Sequence, residues 1–109
     1  MAGKFQAYEV ALEMVARLRT AVEALTRRDK NLADQVRRAS SSVVLNIAEG
    51  ARRSGKDRLH FYRIAAGSGA EVRAAMEVAQ AWGYLGSNPE VETLLDRVLA
   101  MLWRLTHGA

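Results

Sequence analysis

Apolar residues return every three or four positions along nearly the whole of this chain, and polar breaks cut that rhythm into four stretches. Phe5, Tyr8, Leu12, Val15, Leu18, Val22 and Leu25 make the first stripe. Leu32, Val36, Ala39, Val43 and Ile47, widened by Val44 and Ala48, make the second. Phe61, Ala65, Ser68, Val72, Ala75, Ala79 and Trp82 make a third of mostly small residues, and Val91, Leu94, Leu95, Val98, Leu102 and Leu105 a fourth. A repeat near 3.6 residues is the signature of amphipathic helices. The β-branched pair Val43-Val44 is locally strand-like, but it sits inside a longer helical period that outweighs it.

The breaks carry helix punctuation. Asn31, with Asp34 three residues on, reads as an N-cap with an acid in the first turn. Ser54 to Asp57 is a second cap signal, S-x-x-D. Gly83 suits a helix end, with Tyr84-Leu85 folding apolar surface back on the last turn. Asn88-Pro89-Glu90 places a cap, a first-turn proline and an acid in order. The expected helices cover residues 5–26, 31–53, 55–83 and 89–107. Short connections make sequential helices antiparallel, so the expectation is one all-α domain over residues 1–109, an up-down four-helix bundle.

Composition agrees. Half of the 109 residues are apolar, but aromatics are 6% and there is one proline, a balance that suits Ala, Leu and Val helices better than a sheet. The absence of cysteine excludes disulfides, thiolate catalysis and Cys-ligated zinc. With no long uncharged apolar run and no signal-peptide core, the expected compartment is the cytoplasm, away from membranes.

Charge concentrates in the middle. The chain carries a net +4, and between Arg27 and Arg63 ten basic residues face four acidic ones. Within that span Gly50-Ala-Arg-Arg-Ser-Gly55-Lys56-Asp57 comes one residue short of a phosphate-binding G-x-x-x-x-G-K-[ST] loop. Asp57 stands where Ser or Thr would ligate magnesium, and the preceding residues belong to a helical stripe. The stretch therefore reads as an apolar helix running into a basic turn, with Gly50 and Gly55 as punctuation between helices. Its arginines, Arg52 and Arg53, together with Arg37, Arg38, Lys56 and Arg58, are the candidate phosphate contacts. Arginine is equally favoured at subunit interfaces, so composition leaves both uses open.

Catalysis finds little support. Neither His60 nor His107 has a carboxylate or a second histidine three or four residues after it, and the Glu-x-x-His pairs of a di-metal bundle are missing. Ser40-Ser41-Ser42 has no base placed beside it to activate a hydroxyl. No catalytic residue, metal site or cofactor is expected. Asn46 and Glu49 lie one step from the second stripe, and Gly67-Ser68-Gly69 interrupts the third helix at about 1 kcal/mol per glycine. With Glu71 nearby, Asn46, Glu49 and Ser68 form either a partly buried polar network across two helices or a ligand site.

Taken together, Arg37-Arg38-Ala39, Ser42-Val43, Asn46-Ile47-Ala48-Glu49-Gly50, Arg53, Gly67-Ser68, Glu71 and Gly83-Tyr84-Leu85 resemble the four-helix bundle family of 23S rRNA intervening-sequence proteins. The order and spacing agree from about Phe5 to Leu105. Val44 stands where that family commonly has proline, and Gly69 where it usually has leucine. The resemblance implies a ring-shaped homopentamer. It also implies kinship with the accessory protein of diversity-generating retroelements, which binds nucleic acid and a reverse transcriptase. The sequence reading is thus a non-enzymatic, oligomeric protein that binds structured RNA or an RNA–DNA hybrid through its arginines. Its alternative is a homo-oligomeric scaffold for a protein partner such as a reverse transcriptase.

Overall fold

Four helices, antiparallel in sequence order, form a bundle 42 × 22 × 19 Å across. The structure is a computed structural model that describes the backbone of residues 2–108 and the side chains of residues 6–108. The helices are α1 (Ala2–Thr26), α2 (Lys30–Ala51), α3 (Gly55–Ala81) and α4 (Pro89–His107). Each packs on two neighbours, α1 on α2 and α4, and α3 on α2 and α4. One end of the bundle therefore gathers the α2–α3 turn and the C-terminus of α4. The other gathers the α1–α2 and α3–α4 turns.

Each turn has a physical cause. Asn88 caps α4, its side chain accepting from the Val91 N–H at 3.3 Å with Pro89 following. At the end of α3, Gly83 adopts φ +77°. The Gly83 N–H donates to the Gln80 carbonyl and the Tyr84 N–H to the Ala79 carbonyl, both at 2.9 Å. This is the Schellman closure that a left-handed glycine permits. At α2 the cap is Asp29 rather than the expected Asn31. Its carboxylate accepts from the Leu32 N–H at 3.0 Å, because the cap lies two residues earlier and leaves Asn31 inside the first turn. Ser54 holds the N-cap position of α3 but makes no side-chain capping bond.

The core confirms the stripes of α2 and α4 and corrects the other two. Val36, Ala39, Val43 and Ile47 of α2, and Val91, Leu94, Leu95, Val98 and Leu102 of α4, are buried as expected. In α1 the buried face is Ala7, Val10, Ala11, Met14, Leu18 and Leu25, while Tyr8 and Leu12 stand 37% and 48% exposed. Phe5 lies outside the residues whose side chains are described. Large side chains mark out an apolar stripe in sequence, but α1 must nestle between two helices, and small alanines permit that approach.

In α3 Ala65, Val72, Ala75 and Ala79 are buried as expected, and the inward face extends to one side of them to take in Tyr62, Gly69 and Met76. Tyr62 is fully buried where Phe61 was expected, and Gly69 where Ser68 was expected. Trp82, expected inside, is 68% exposed. Two contacts set this shift. The Tyr62 ring lies on Gly50 of α2, where a Cβ would come within 2.6 Å of it. Leu99 of α4 lies on Gly69, where a Cβ would meet its Cδ2 at 2.8 Å. Gly50 is therefore a buried packing position in the last turn of α2, not punctuation after it.

Candidate nucleic-acid interface

The α2–α3 turn collects Arg52, Arg53, Lys56 and Arg58 within one short connection. Arg52 is the C-cap of α2, where the last carbonyls of the helix are exposed. Arg58 Nε reaches back to donate to the Gly50 carbonyl at 3.2 Å, so this half-buried cation adds a second donor to a carbonyl that already accepts from the Arg53 N–H at 3.1 Å. Arg53 Nε donates to Glu49 Oε2 at 2.8 Å, and its guanidinium lies 5.2 Å from the centre of the Phe61 ring. It also lies 3.9 Å from Asp57. Arg52 approaches the same Glu49 at 3.7 Å with its side chain 77% exposed. Lys56 is exposed and makes no ion pair among the described residues.

From Glu49 to Arg58 the turn thus carries four basic and two acidic residues. Surface ion pairs of this kind contribute little, so the guanidinium groups can exchange a carboxylate for a phosphate at small cost. Arg37 and Arg38 do not join them. They precede Arg52 by four turns of helix, ~22 Å along its axis. Arg37 pairs with Asp34 at 2.7 Å, and Arg38 is exposed. The six candidates form one four-residue cluster and a separate pair.

Of the four polar residues considered together, the structure joins two. Asn46 Nδ2 donates to the Ser42 carbonyl at 2.9 Å and lies 3.0 Å from Ser42 Oγ. Ser42 Oγ in turn shares a 2.7 Å hydrogen bond with Ser68 Oγ, which ties α2 to α3. Glu49 leaves this chain for Arg52 and Arg53. Glu71 is exposed and makes no hydrogen bond or ion pair among the described residues. Ser42, the centre of the network, is absent from the four polar residues that the sequence groups together. Its spacing, one turn before Asn46 on the same face, was the available signal.

Among the described residues no three His, Cys, Asp or Glu side chains gather as a metal would require. Among the same residues no helix is long and apolar enough to cross a membrane.

An antiparallel four-helix bundle with a cationic turn and a serine–asparagine link between its middle helices is the class that fold and site define. This chain belongs to the family described as 23S rRNA-intervening sequence protein, whose model matches residues 3–104. Its fold is similar to that of a protein of unknown function from the S23 ribosomal protein family of Bacteroides thetaiotaomicron. That match has a TM-score of 0.80 and 18% identity, covering 93% of this chain and 98% of the other. The chain is also 41% identical over 98 residues to an alanine–tRNA ligase of Mycolicibacterium vanbaalenii. The aligned stretch is 87% of this chain and 11% of the ligase, so the chain spans about a tenth of that relative's length.

Proposed function

We propose that this protein is a non-enzymatic, oligomeric nucleic-acid-binding protein of the cytoplasm, taking structured RNA or an RNA–DNA hybrid by its phosphates. The observation that carries the reading is the clustering of exposed Arg52, Arg53 and Lys56, with half-buried Arg58, around the α2–α3 turn. Family membership and the likeness to a short stretch of a tRNA ligase both support an RNA partner. Contacts of this type give binding that is steeply salt-dependent and weakly selective for sequence. A ring-shaped homopentamer would repeat the turn five times and convert a weak site into a strong one.

Titration of structured RNA and duplex DNA at several salt concentrations tests this. The expected result is binding that weakens with salt and is lost in the variant carrying Arg52→Glu and Arg53→Glu, with its thermal unfolding checked alongside. No binding at low salt, or binding untouched by the double charge reversal, would refute it.

A second reading, a homo-oligomeric scaffold for a protein partner such as a reverse transcriptase, is favoured by one observation. Leu12 of α1 and Leu45 of α2, 48% and 67% exposed, border one shallow depression with Val15 and Val44. Light scattering of Leu45→Glu and of the arginine double variant separates the readings. Dissociation by the first alone assigns the leucines to subunit contact and leaves the arginines for phosphate. Dissociation by the second assigns the arginines to the interface.

A further inference from the structure

The end of the bundle opposite the α2–α3 turn carries a second cationic cluster, built differently. Arg27, Arg28 and Lys30 flank the tight α1–α2 turn, are all exposed, and make no ion pair among the described residues. The acid between them, Asp29, is half-buried, with its carboxylate engaged in capping α2. The Arg28 guanidinium lies 5.3 Å from the centre of the Tyr84 ring in the α3–α4 turn. Tyr84 stacks in turn on Trp82, with ring centres 6.3 Å apart and planes inclined by 18°.

The stack has a backbone origin. Trp82 and Tyr84 sit on either side of Gly83, whose positive φ and the two Schellman hydrogen bonds hold both rings at the helix end. Tyr84 is half-buried and packs on the core, whereas Trp82 is 68% exposed. An indole this open is unusual in a folded chain. Guanidinium, phenol and indole thus form an ordered series with free cations beside it.

We infer that Trp82, Tyr84 and the Arg27–Arg28–Lys30 turn form a binding site for an unpaired nucleotide of a nucleic-acid strand. The base extends the aromatic stack on Trp82, and the flanking phosphates meet Arg27 and Lys30. A planar ring is the natural occupant of an open aromatic face, and base–aromatic stacking is tolerant of sequence. A base inside a duplex has no free face to offer, so this site selects unpaired segments. Loops and ends of structured RNA supply such bases. The inference rests on the nucleic-acid reading above but concerns the other end of the molecule.

Intrinsic fluorescence tests it directly. Trp103→Phe leaves Trp82 as the sole indole, and three probes are titrated in turn: a short oligouridylate, a blunt RNA duplex of the same length, and poly-glutamate. The oligouridylate should quench Trp82 saturably and the duplex weakly. In the full-length protein, Trp82→Ala should weaken oligouridylate binding about five-fold or more, and Arg27→Glu with Lys30→Glu should weaken it further and flatten its salt dependence. Circular dichroism confirms that these exposed substitutions leave the fold intact. Equal affinity for strand and duplex, unchanged fluorescence on binding, or quenching by poly-glutamate alone would overturn the inference, the last in favour of an acidic protein segment. Loss of strand binding only in the Arg52/Arg53 variant would overturn this site and uphold the α2–α3 turn. Loss only in the Trp82 variant would do the reverse.

Discussion

Gly50 of α2 and Tyr62 of α3 are fitted to one another: the ring covers the glycine so closely that a Cβ there would lie 2.6 Å from Tyr62 Cε1 and 2.8 Å from Cδ1. The ring belongs to the best-buried large side chain of the core and has nowhere to move. Gly50→Ala should therefore destabilise the fold on the order of 1–2 kcal/mol, since overpacking of about 1–3 kcal/mol outweighs the helix propensity gained. Gly67→Ala is the counterpart. Nothing lies within 4 Å of that position, so the same substitution should stabilise by about 0.5–1 kcal/mol. Gly69→Ala should be nearly neutral, because the atom it meets is the tip of the half-buried Leu99 side chain. Urea denaturation of the three variants gives the ranking.

The Tyr62 hydroxyl is buried without a hydrogen-bond partner among the described residues. Burial raises its pKa above the usual 10.0, partly opposed by the nearby Arg58 charge. The phenol is an acid whose folded pKa is raised, so the folded state holds its proton to higher pH than the unfolded chain. Stability from this group is complete below about pH 10 and falls as pH rises above it. Tyr62→Phe removes the orphaned hydroxyl and should leave neutral-pH stability unchanged or slightly raised. It should also flatten the alkaline decline, measured as the unfolding midpoint from pH 8 to pH 11.

Ser42 and Ser68 share the 2.7 Å bond that joins the middle helices, and Asn46 depends on Ser42 for its placement. Each single alanine substitution should cost about 1 kcal/mol, with Ser42→Ala the larger because its hydroxyl bonds both Ser68 and Asn46, although Asn46 keeps its bond to the Ser42 carbonyl. A double-mutant cycle should give a coupling of about 0.5–1.5 kcal/mol. Additive effects would show that the bond contributes nothing.

Asp29→Ala removes the capping bond to the Leu32 N–H and should destabilise by about 1 kcal/mol. Asn31→Ala, one residue inside the exposed first turn, should change stability by a few tenths of a kcal/mol at most. Equal losses in thermal unfolding would restore Asn31 as the cap.

The candidate site was legible in part. Arg52, Arg53, Lys56 and Arg58 adjoin in sequence on either side of a helix break, so their meeting required no tertiary information. Arg37 and Arg38 were grouped with them by charge alone, and a rigid helix holds them four turns away. Asn46 and Ser68 were recognised as polar residues near a helix interface. Ser42 was missed because a serine is as compatible with water as with a neighbouring hydroxyl.

By itself the sequence determined the helical state of each segment, the number of helices, the capping positions at Ser54, Gly83 and Asn88 and the cationic character of the central turn. Those properties follow from local periodicity, from backbone chemistry at Gly83 and Asn88, and from charges close together in the chain. Tertiary structure decided where the buried faces of α1 and α3 are centred. A stripe of apolar residues is wider than the face a neighbour covers, and its centre is set by where two helices come closest. Those closest approaches are at glycines, Gly50 under Tyr62 and Gly69 under Leu99, and glycine adds nothing to an apolar stripe. That shift took Tyr62 into the core and left Trp82 on the surface beside Tyr84 and Arg28.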